Sequence, residues 1–123
     1  MPDEWHLDQL LVTWQKRLRL QDWHITAEVV RRKKMSSNEG SRCAHNEWHR
    51  ARKVAHFQLL DPVDWDDDVV HPLDEANVAG EIEKIVVHEL LHLHLAGIVT
   101  EDTDETLVEQ AINCITEAIL IRS

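Results

Sequence analysis

The most informative segment of the sequence is Ile85-Val86-Val87-His88-Glu89-Leu90-Leu91-His92-Leu93-His94-Leu95. Apolar residues surround its polar positions on nearly all sides, so we expect a helix at the centre of the domain. His88 and His92 are four residues apart and therefore project from the same face of that helix, one turn above the other. Burying these two imidazoles and Glu89 without partners is costly, which favours a bound metal.

The pattern H-E-x-x-H formed by His88, Glu89 and His92 suits a zinc site. Neutral imidazole nitrogens bind zinc at about 2.0–2.1 Å, and the metal lowers the pKa of a bound water to about 7. Glu89, beside His88, is placed to accept that proton as a general base. We therefore predict one zinc ion, with His88 and His92 as ligands and Glu89 as catalytic residue. The alternative is a buried helix with two satisfied histidines and a surface glutamate.

A third protein ligand must come from elsewhere, because catalytic zinc usually has three protein ligands and one water. The candidates are His94, Asp104, Glu105 and Glu109. His94 lies two residues past His92 and points to a different side of the helix, which makes it a poor ligand. Glu105 and Glu109 lie one turn apart at the border of the apolar face of the last helix. The residues alone leave the choice between these two glutamates open.

The flanking segments predict a single α+β domain over residues 1–123, without internal repeats. We predict helices at 4–20, 75–96 and 104–121, and strands at 23–30, 43–49 and 53–60. Gly97 is expected to end the central helix in the left-handed conformation. The predicted apolar face of the last helix consists of Val108, Ala111, Ile112, Ile115, Ala118 and Ile119.

The composition argues against nucleic acid and anionic membranes as partners, because 23 acidic residues against 13 basic ones give a net charge of −10. The two cysteines, Cys43 and Cys114, form no CxxC pair, and a reducing compartment is the simpler interpretation. No signal peptide is visible, and the longest apolar stretch contains three histidines and a glutamate, so it is not a membrane span. We expect a cytoplasmic protein of unknown oligomeric state.

His88-Glu-Leu-Leu-His92, with a following helix that contains Glu109-Gln-Ala-Ile-Asn113, resembles the minimal gluzincin metallopeptidases. It is especially similar to short metallopeptidase-like proteins encoded by phages and prophages. The resemblance implies that the third zinc ligand is Glu109, with Glu105 in reserve. It also implies a zincin-like fold, in which a small twisted, mainly three-stranded sheet packs on an N-terminal helix and the active-site helix, followed by a C-terminal glutamate helix.

The resemblance further implies hydrolysis of peptide bonds in a peptide or protein substrate. The strand that ends in His56-Phe57-Gln58-Leu59-Leu60 would be the cleft edge on which an extended peptide pairs, with a plain structural edge as the alternative. Gluzincins often use a tyrosine or histidine to stabilise the oxyanion, and this chain has no tyrosine. The possible substitutes are His45, His49, Arg50 and His71, and the sequence leaves the choice among them open. Asn113 and Asp104 are candidates to orient a ligand histidine, with surface or capping roles as their alternative.

Two other functions stay open. The first is a zinc-binding regulatory or interaction module of phage or prophage origin, without turnover. The second is a metal hydrolase with a non-peptide substrate, because His88-x-x-x-His92-Leu-x-x-x-Gly97 is also similar to the bacterial rRNA-maturation metalloproteins. Those proteins have a third histidine just after the glycine, and residues 99–101 contain none.

Overall fold

The computed structural model describes residues 6–34, 43–65 and 75–121, which form three helices and one three-stranded sheet. The elements in chain order are α1 (Leu7–Arg17), β1 (His24–Val30), β2 (Ala44–His49), β3 (Val54–Leu60), α2 (Glu75–Leu95) and α3 (Glu105–Leu120). Short 3-10 turns follow β1 at Arg32–Lys34 and β3 at Pro62–Asp64. The predicted α+β class is confirmed. Residues 4 and 5 of the predicted first helix lie outside the described residues.

The sheet is mixed, with strand order β1-β3-β2. β3 pairs with β1 in parallel and with β2 in antiparallel orientation, and its alternate residues Ala55, Phe57 and Leu59 are buried. The prediction that the strand ending in His56–Leu60 is a cleft edge is therefore wrong, because both sides of its backbone are already paired. The reason is that β3 carries the most apolar strand sequence, which gains more burial in the middle of the sheet than at an edge.

α2 lies at the centre of the core, as its sequence predicts. Val86, Val87 and Leu90 have no exposed surface. α1 packs beside α2 through its buried apolar face, and the Trp14 indole N–H donates a hydrogen bond of 2.7 Å to Glu83 Oε2. No helix in the three described ranges is long and apolar enough to cross a membrane.

α3 packs against α2 through a narrower stripe than the sequence predicts. Ile112 and Thr116 are fully buried, whereas Ala111, Ile115 and Ala118, which were expected on the buried face, are exposed. α3 forms the outer layer of the domain, so only the side chains directly facing α2 lose contact with water. Thr116 is accommodated there because its hydroxyl donates a 2.7 Å hydrogen bond to the Ile112 carbonyl.

The end of α2 differs from the predicted glycine cap. The helix ends at Leu95, whose carbonyl accepts hydrogen bonds of 3.0 Å from the N–H groups of both Ile98 and Val99. The φ angle of Gly97 lies outside the left-handed region, and the Arg50 guanidinium passes 3.6 Å from the position that a Cβ would occupy. The short hydrogen-bonded turn ends the helix without a left-handed residue.

Candidate metal centre

His88 and His92 face the same cleft from one side of α2. Their ring centroids are 5.0 Å apart, at an interplanar angle of 61°. Their side chains are only 18% and 19% exposed. The apolar sides of α2 are held in the core, so the stripe that carries the two imidazoles is directed towards α3 and β2. Both histidines are therefore held in a half-buried position by the packing of their own helix.

Glu109, on α3, approaches both imidazoles at once. Its Oε2 atom is 3.0 Å from His88 Nε2, and its Oε1 atom is 2.9 Å from His92 Nε2. One ligand atom from each of the three residues lies within 4.8 Å of the others. No other group of three histidine, cysteine or acidic side chains in the described ranges converges in this way.

The donor set fits zinc, which commonly binds imidazole nitrogen and carboxylate oxygen. Ligand atoms of a tetrahedral site with bonds of 2.0–2.1 Å are about 3.3 Å apart. The contacts of 2.9 and 3.0 Å between Glu109 and the imidazoles are slightly shorter than that spacing. The two contacts use different carboxylate oxygens, so a single ion would be held after a small movement of the Glu109 side chain. Glu109 is half exposed and has room for such a movement.

The other candidate ligands have different environments. Glu105 lines the same cleft but does not belong to the converging group. Asp104 caps α3, where its Oδ1 atom accepts hydrogen bonds of 2.9 and 3.4 Å from the N–H groups of Thr106 and Leu107. The Nε2 group of His94 donates to the Leu18 carbonyl. The expected orientation of His94 away from the centre is confirmed.

Glu89 lies beside His88 on the wall of the cleft and is half-buried. Its main-chain carbonyl accepts a 3.3 Å hydrogen bond from the Asn46 side-chain amide of β2. Glu89 directly follows the predicted ligand His88. This bond therefore connects β2 to the turn of α2 that carries the predicted ligand. The predicted general base is thus in the cleft, with its backbone anchored.

Trp48 and Asn46 are functional candidates that the sequence reasoning missed. The Trp48 indole stacks on the His92 ring, with centroids 6.3 Å apart and an interplanar angle of 23°. Both residues line the cleft, because alternate residues of a strand share a face. The signal was present in the sequence as the two-residue spacing of Ala44, Asn46 and Trp48, but the side of β2 that faces the helix depends on tertiary packing.

The cleft between β2, α2 and α3 has a volume of about 820 Å³, which is within the usual range for ligand sites. Its lining combines apolar side chains with charged groups and an amide: Trp48, Ile85, Val99, Val108, Glu81, Lys84, Glu105 and Asn113. Apolar and charged surfaces therefore both surround the converging side chains.

The predicted oxyanion donors do not line the cleft in the described part of the chain. His45 lies 3.0 Å from a Glu47 carboxylate oxygen, and His49 Nδ1 accepts a hydrogen bond from the Arg52 N–H. Arg50 lies against Gly97, and His71 is outside the described residues. Asn113, which was a candidate to orient a ligand histidine, does line the cleft.

The clearest pKa shifts belong to carboxyl groups outside the cleft. Arg31 Nε donates a 2.8 Å hydrogen bond to Asp64 Oδ2, and the Arg32 N–H donates to the same oxygen at 2.9 Å. These contacts lower the pKa of Asp64 from 3.8 to about 2. The Lys53 ammonium similarly lowers the pKa of Asp22. Both pairs connect chain segments at the ends of β1 and β3.

Comparison with known proteins gives no match to a protein-family model, a curated protein or a solved structure.

Proposed function

We propose that this protein is a zinc-dependent metallopeptidase of the gluzincin type. His88, His92 and Glu109 hold one zinc ion, and Glu89 is the general base. The observation that supports the proposal is the convergence of two imidazoles and a carboxylate within 4.8 Å of one another in a half-buried cleft. A bound zinc ion supplies Lewis acidity that acidifies water and polarises a carbonyl group.

Glu89 has the position and the chemistry that a general base needs. It is adjacent to His88 in the cleft, and Asn46 anchors its main chain. A carboxylate in this position accepts a proton from the attacking water and passes it to the leaving amine. Asn46 positions Glu89 through its hydrogen bond to the Glu89 carbonyl. Trp48 positions His92 by stacking on its ring.

The cleft suits an extended peptide or a protein loop as substrate. Within residues 6–34, 43–65 and 75–121, β2 is an edge strand of the sheet, and its residues line the cleft. An unpaired strand edge offers backbone N–H and C=O groups that add an extended peptide as a further strand. The apolar side chains of Trp48, Val99 and Val108 in the cleft wall favour substrates that carry an apolar side chain. We place this activity in a reducing compartment such as the cytoplasm, which suits a chain with two cysteines and no CxxC pair.

Zinc content and a Glu89→Gln variant test the proposal together. Protein prepared with zinc and then dialysed should retain one equivalent, and less than about half an equivalent would contradict the site. Cleavage of an unfolded protein substrate should fall by about 10²–10⁴-fold in Glu89→Gln, while zinc content stays the same. Glu101→Gln, which removes an exposed carboxylate outside the cleft, is the matched control. Undiminished cleavage by Glu89→Gln would refute the catalytic assignment.

A zinc-binding module without turnover is the second candidate. The observation that favours it is the position of His45, His49 and Arg50 outside the cleft, since peptidases of this class need a donor for the oxyanion. In that case the wild type and Glu89→Gln would bind zinc equally, and neither would cleave the substrate. The same two measurements therefore distinguish the candidates.

A further inference from the structure

Lys84 is the one lysine or arginine that lines the cleft in the described part of the chain. The residue is half-buried, and it forms no hydrogen bond or ion pair through its side chain within residues 6–34, 43–65 and 75–121. Burial of a charge is costly unless the charge is paired. An unpaired ammonium group on the wall of a cleft, with three N–H donors, therefore suits an anionic oxygen that arrives with a ligand.

Lys84 lies on the same face of α2 as the two proposed zinc ligands. Residues 84, 88 and 92 are four apart, so each is one turn from the next, about 6 Å along the helix axis. Helical side chains lean towards the N-terminus, which brings the His88 ring over the turn that contains Lys84. The four-carbon stem of lysine is long enough to span one turn. The ammonium group is thus within reach of a substrate group that lies beside His88.

The proposed peptidase activity needs a donor that the sequence did not identify. The carbonyl oxygen of the cleaved bond becomes negatively charged during attack by water, and peptidases place hydrogen-bond donors at that oxygen. The chain has no tyrosine, and His45, His49 and Arg50 do not line the cleft. A lysine can take this role, since a hydrogen bond from a charged donor is roughly twice as strong as one between neutral groups.

We propose that Lys84 is a further catalytic residue, which donates a hydrogen bond to the carbonyl oxygen of the cleaved peptide bond. This inference rests on the proposed zinc peptidase function. Water forms the new bond to the carbonyl carbon, Glu89 transfers its proton to the leaving nitrogen, and the C–N bond breaks. Lys84 stays protonated throughout. It stabilises the transition state more than the bound substrate, because the oxygen carries little charge before attack.

Other contacts of the cleft do not replace this role. Glu81 lies three residues before Lys84, a spacing at which helical side chains can pair, yet no ion pair joins them in the described structure. Of the amide groups that line the cleft, Asn46 already donates to the Glu89 carbonyl. Asn113 is exposed and neutral. Lys84 is therefore the charged donor that remains available for a substrate oxygen.

Steady-state kinetics on the zinc-loaded protein test this role. Lys84→Met keeps a long side chain without the charge, and it should lower kcat by about 10²–10³-fold. KM should stay within about threefold of the wild-type value, and zinc content should not change. Lys84→Arg restores a charged donor and should recover at least about tenfold in kcat. Lys33→Met, at an exposed lysine outside the cleft, is the matched control and should keep wild-type kinetics.

Binding of a phosphonate tests the same contact without turnover. A phosphonate in place of the amide of a blocked leucyl-leucine peptide has the tetrahedral shape and negative charge of the attacked carbonyl group. Its dissociation constant from zinc-loaded protein, measured by calorimetry, should rise by about 10–100-fold in Lys84→Met. The constant should stay unchanged in Lys33→Met and in Asn113→Ala.

The outcomes separate this inference from the proposed function. Wild-type kcat or unchanged phosphonate binding in Lys84→Met, in a protein whose wild type cleaves peptides, would overturn the role of Lys84 and leave the peptidase proposal intact. A larger loss in Asn113→Ala than in Lys84→Met would assign the contact to the amide instead. A wild type that binds zinc but cleaves no peptide would refute the proposed function, and the role of Lys84 with it.

Discussion

Replacement of Glu109 by glutamine tests most directly whether Glu109, rather than Glu105, is the proposed third zinc ligand. Glu109 contacts both imidazoles, at 3.0 and 2.9 Å. Glutamine keeps the size of the side chain but removes the negative charge and one of the two oxygens. Glu105→Gln is the matched control, since Glu105 lies one turn earlier on α3 and lines the same cleft without joining the converging group.

The expected magnitude follows from the number of ligands lost. Changes to groups that only orient a ligand already weaken metal binding by about 10–100-fold, so loss of a ligand charge should weaken it at least about 100-fold. Zinc at 100 times the wild-type dissociation constant stabilises the folded state by about 2.7 kcal/mol. For a chain of 123 residues, this raises the melting temperature by about 10 °C.

A 100-fold weaker site at the same zinc concentration gains only about 0.4 kcal/mol. The melting temperature of Glu109→Gln should therefore rise by about 2 °C on addition of zinc. Without metal the substitution should cost less than about 1 kcal/mol, since Glu109 is 50% exposed and its contacts with the two imidazoles are partly solvated. The loss thus appears only in the zinc-bound state, which separates ligation from general destabilisation.

The assay is thermal unfolding followed by circular dichroism, with and without zinc, on wild type, Glu109→Gln and Glu105→Gln. Glu105→Gln should keep the whole zinc-dependent increase. Glu109 is not the third ligand if Glu109→Gln retains the wild-type increase, or if Glu105→Gln loses it while Glu109→Gln does not.

Three further predictions follow from other contacts. Trp48→Ala removes the ring stacked on His92 and should raise the zinc dissociation constant by about 10-fold, because in the proposed centre the ring orients a ligand and does not itself bind the metal. An unchanged constant in a competition titration would contradict this role. Ile112→Ala removes a fully buried side chain between α3 and α2 and should lower the free energy of unfolding in urea by about 2–4 kcal/mol. Ile115→Ala, at a position 44% exposed, should cost less than about 1 kcal/mol, so similar losses at the two positions would show that α3 is turned differently. Arg31→Gln should raise the pKa of Asp64 from about 2 towards 3.8, measured by NMR titration of the carboxyl group. The pKa of Asp64 is lower in the folded state than in the unfolded state. The stabilisation by this pair is therefore present above about pH 4 and is lost as the pH falls through about 2. A pKa that stays near 2 in Arg31→Gln would contradict the assigned cause.

Local sequence determined the elements that depend on short-range periodicity. The apolar residues around His88 and His92 predicted a central helix, because a helix that is apolar on nearly all sides must be buried. The four-residue spacing of the two histidines placed both on one face, whatever the rest of the fold, since that relation follows from 3.6 residues per turn. The strands at 43–49 and 53–60 were recognisable from their own residues, with ends close to those observed.

Long-range packing decided the features that the sequence left open or predicted wrongly. β3 lies in the centre of the sheet and β2 at its edge, because strand order depends on burial summed over the whole domain. The packing of Ile112 and Thr116 on α2 fixes both the rotation of α3 and its position along α2. Glu105 and Glu109 share one face of α3, so the position along α2 brings Glu109, rather than Glu105, to the imidazoles. The same rotation leaves Ala111, Ile115 and Ala118 on the outer surface.

The chain by itself therefore determined one half of the candidate centre, the two imidazoles and the adjacent carboxylate, since all three lie within two turns of one helix. The other half, the Glu109 carboxylate and the β2 side chains at Asn46 and Trp48, was decided only when separate elements packed together. The physical reason is that helical geometry relates residues a few positions apart. Groups 17 or more residues from His92 meet it only through the contacts that fold the whole domain.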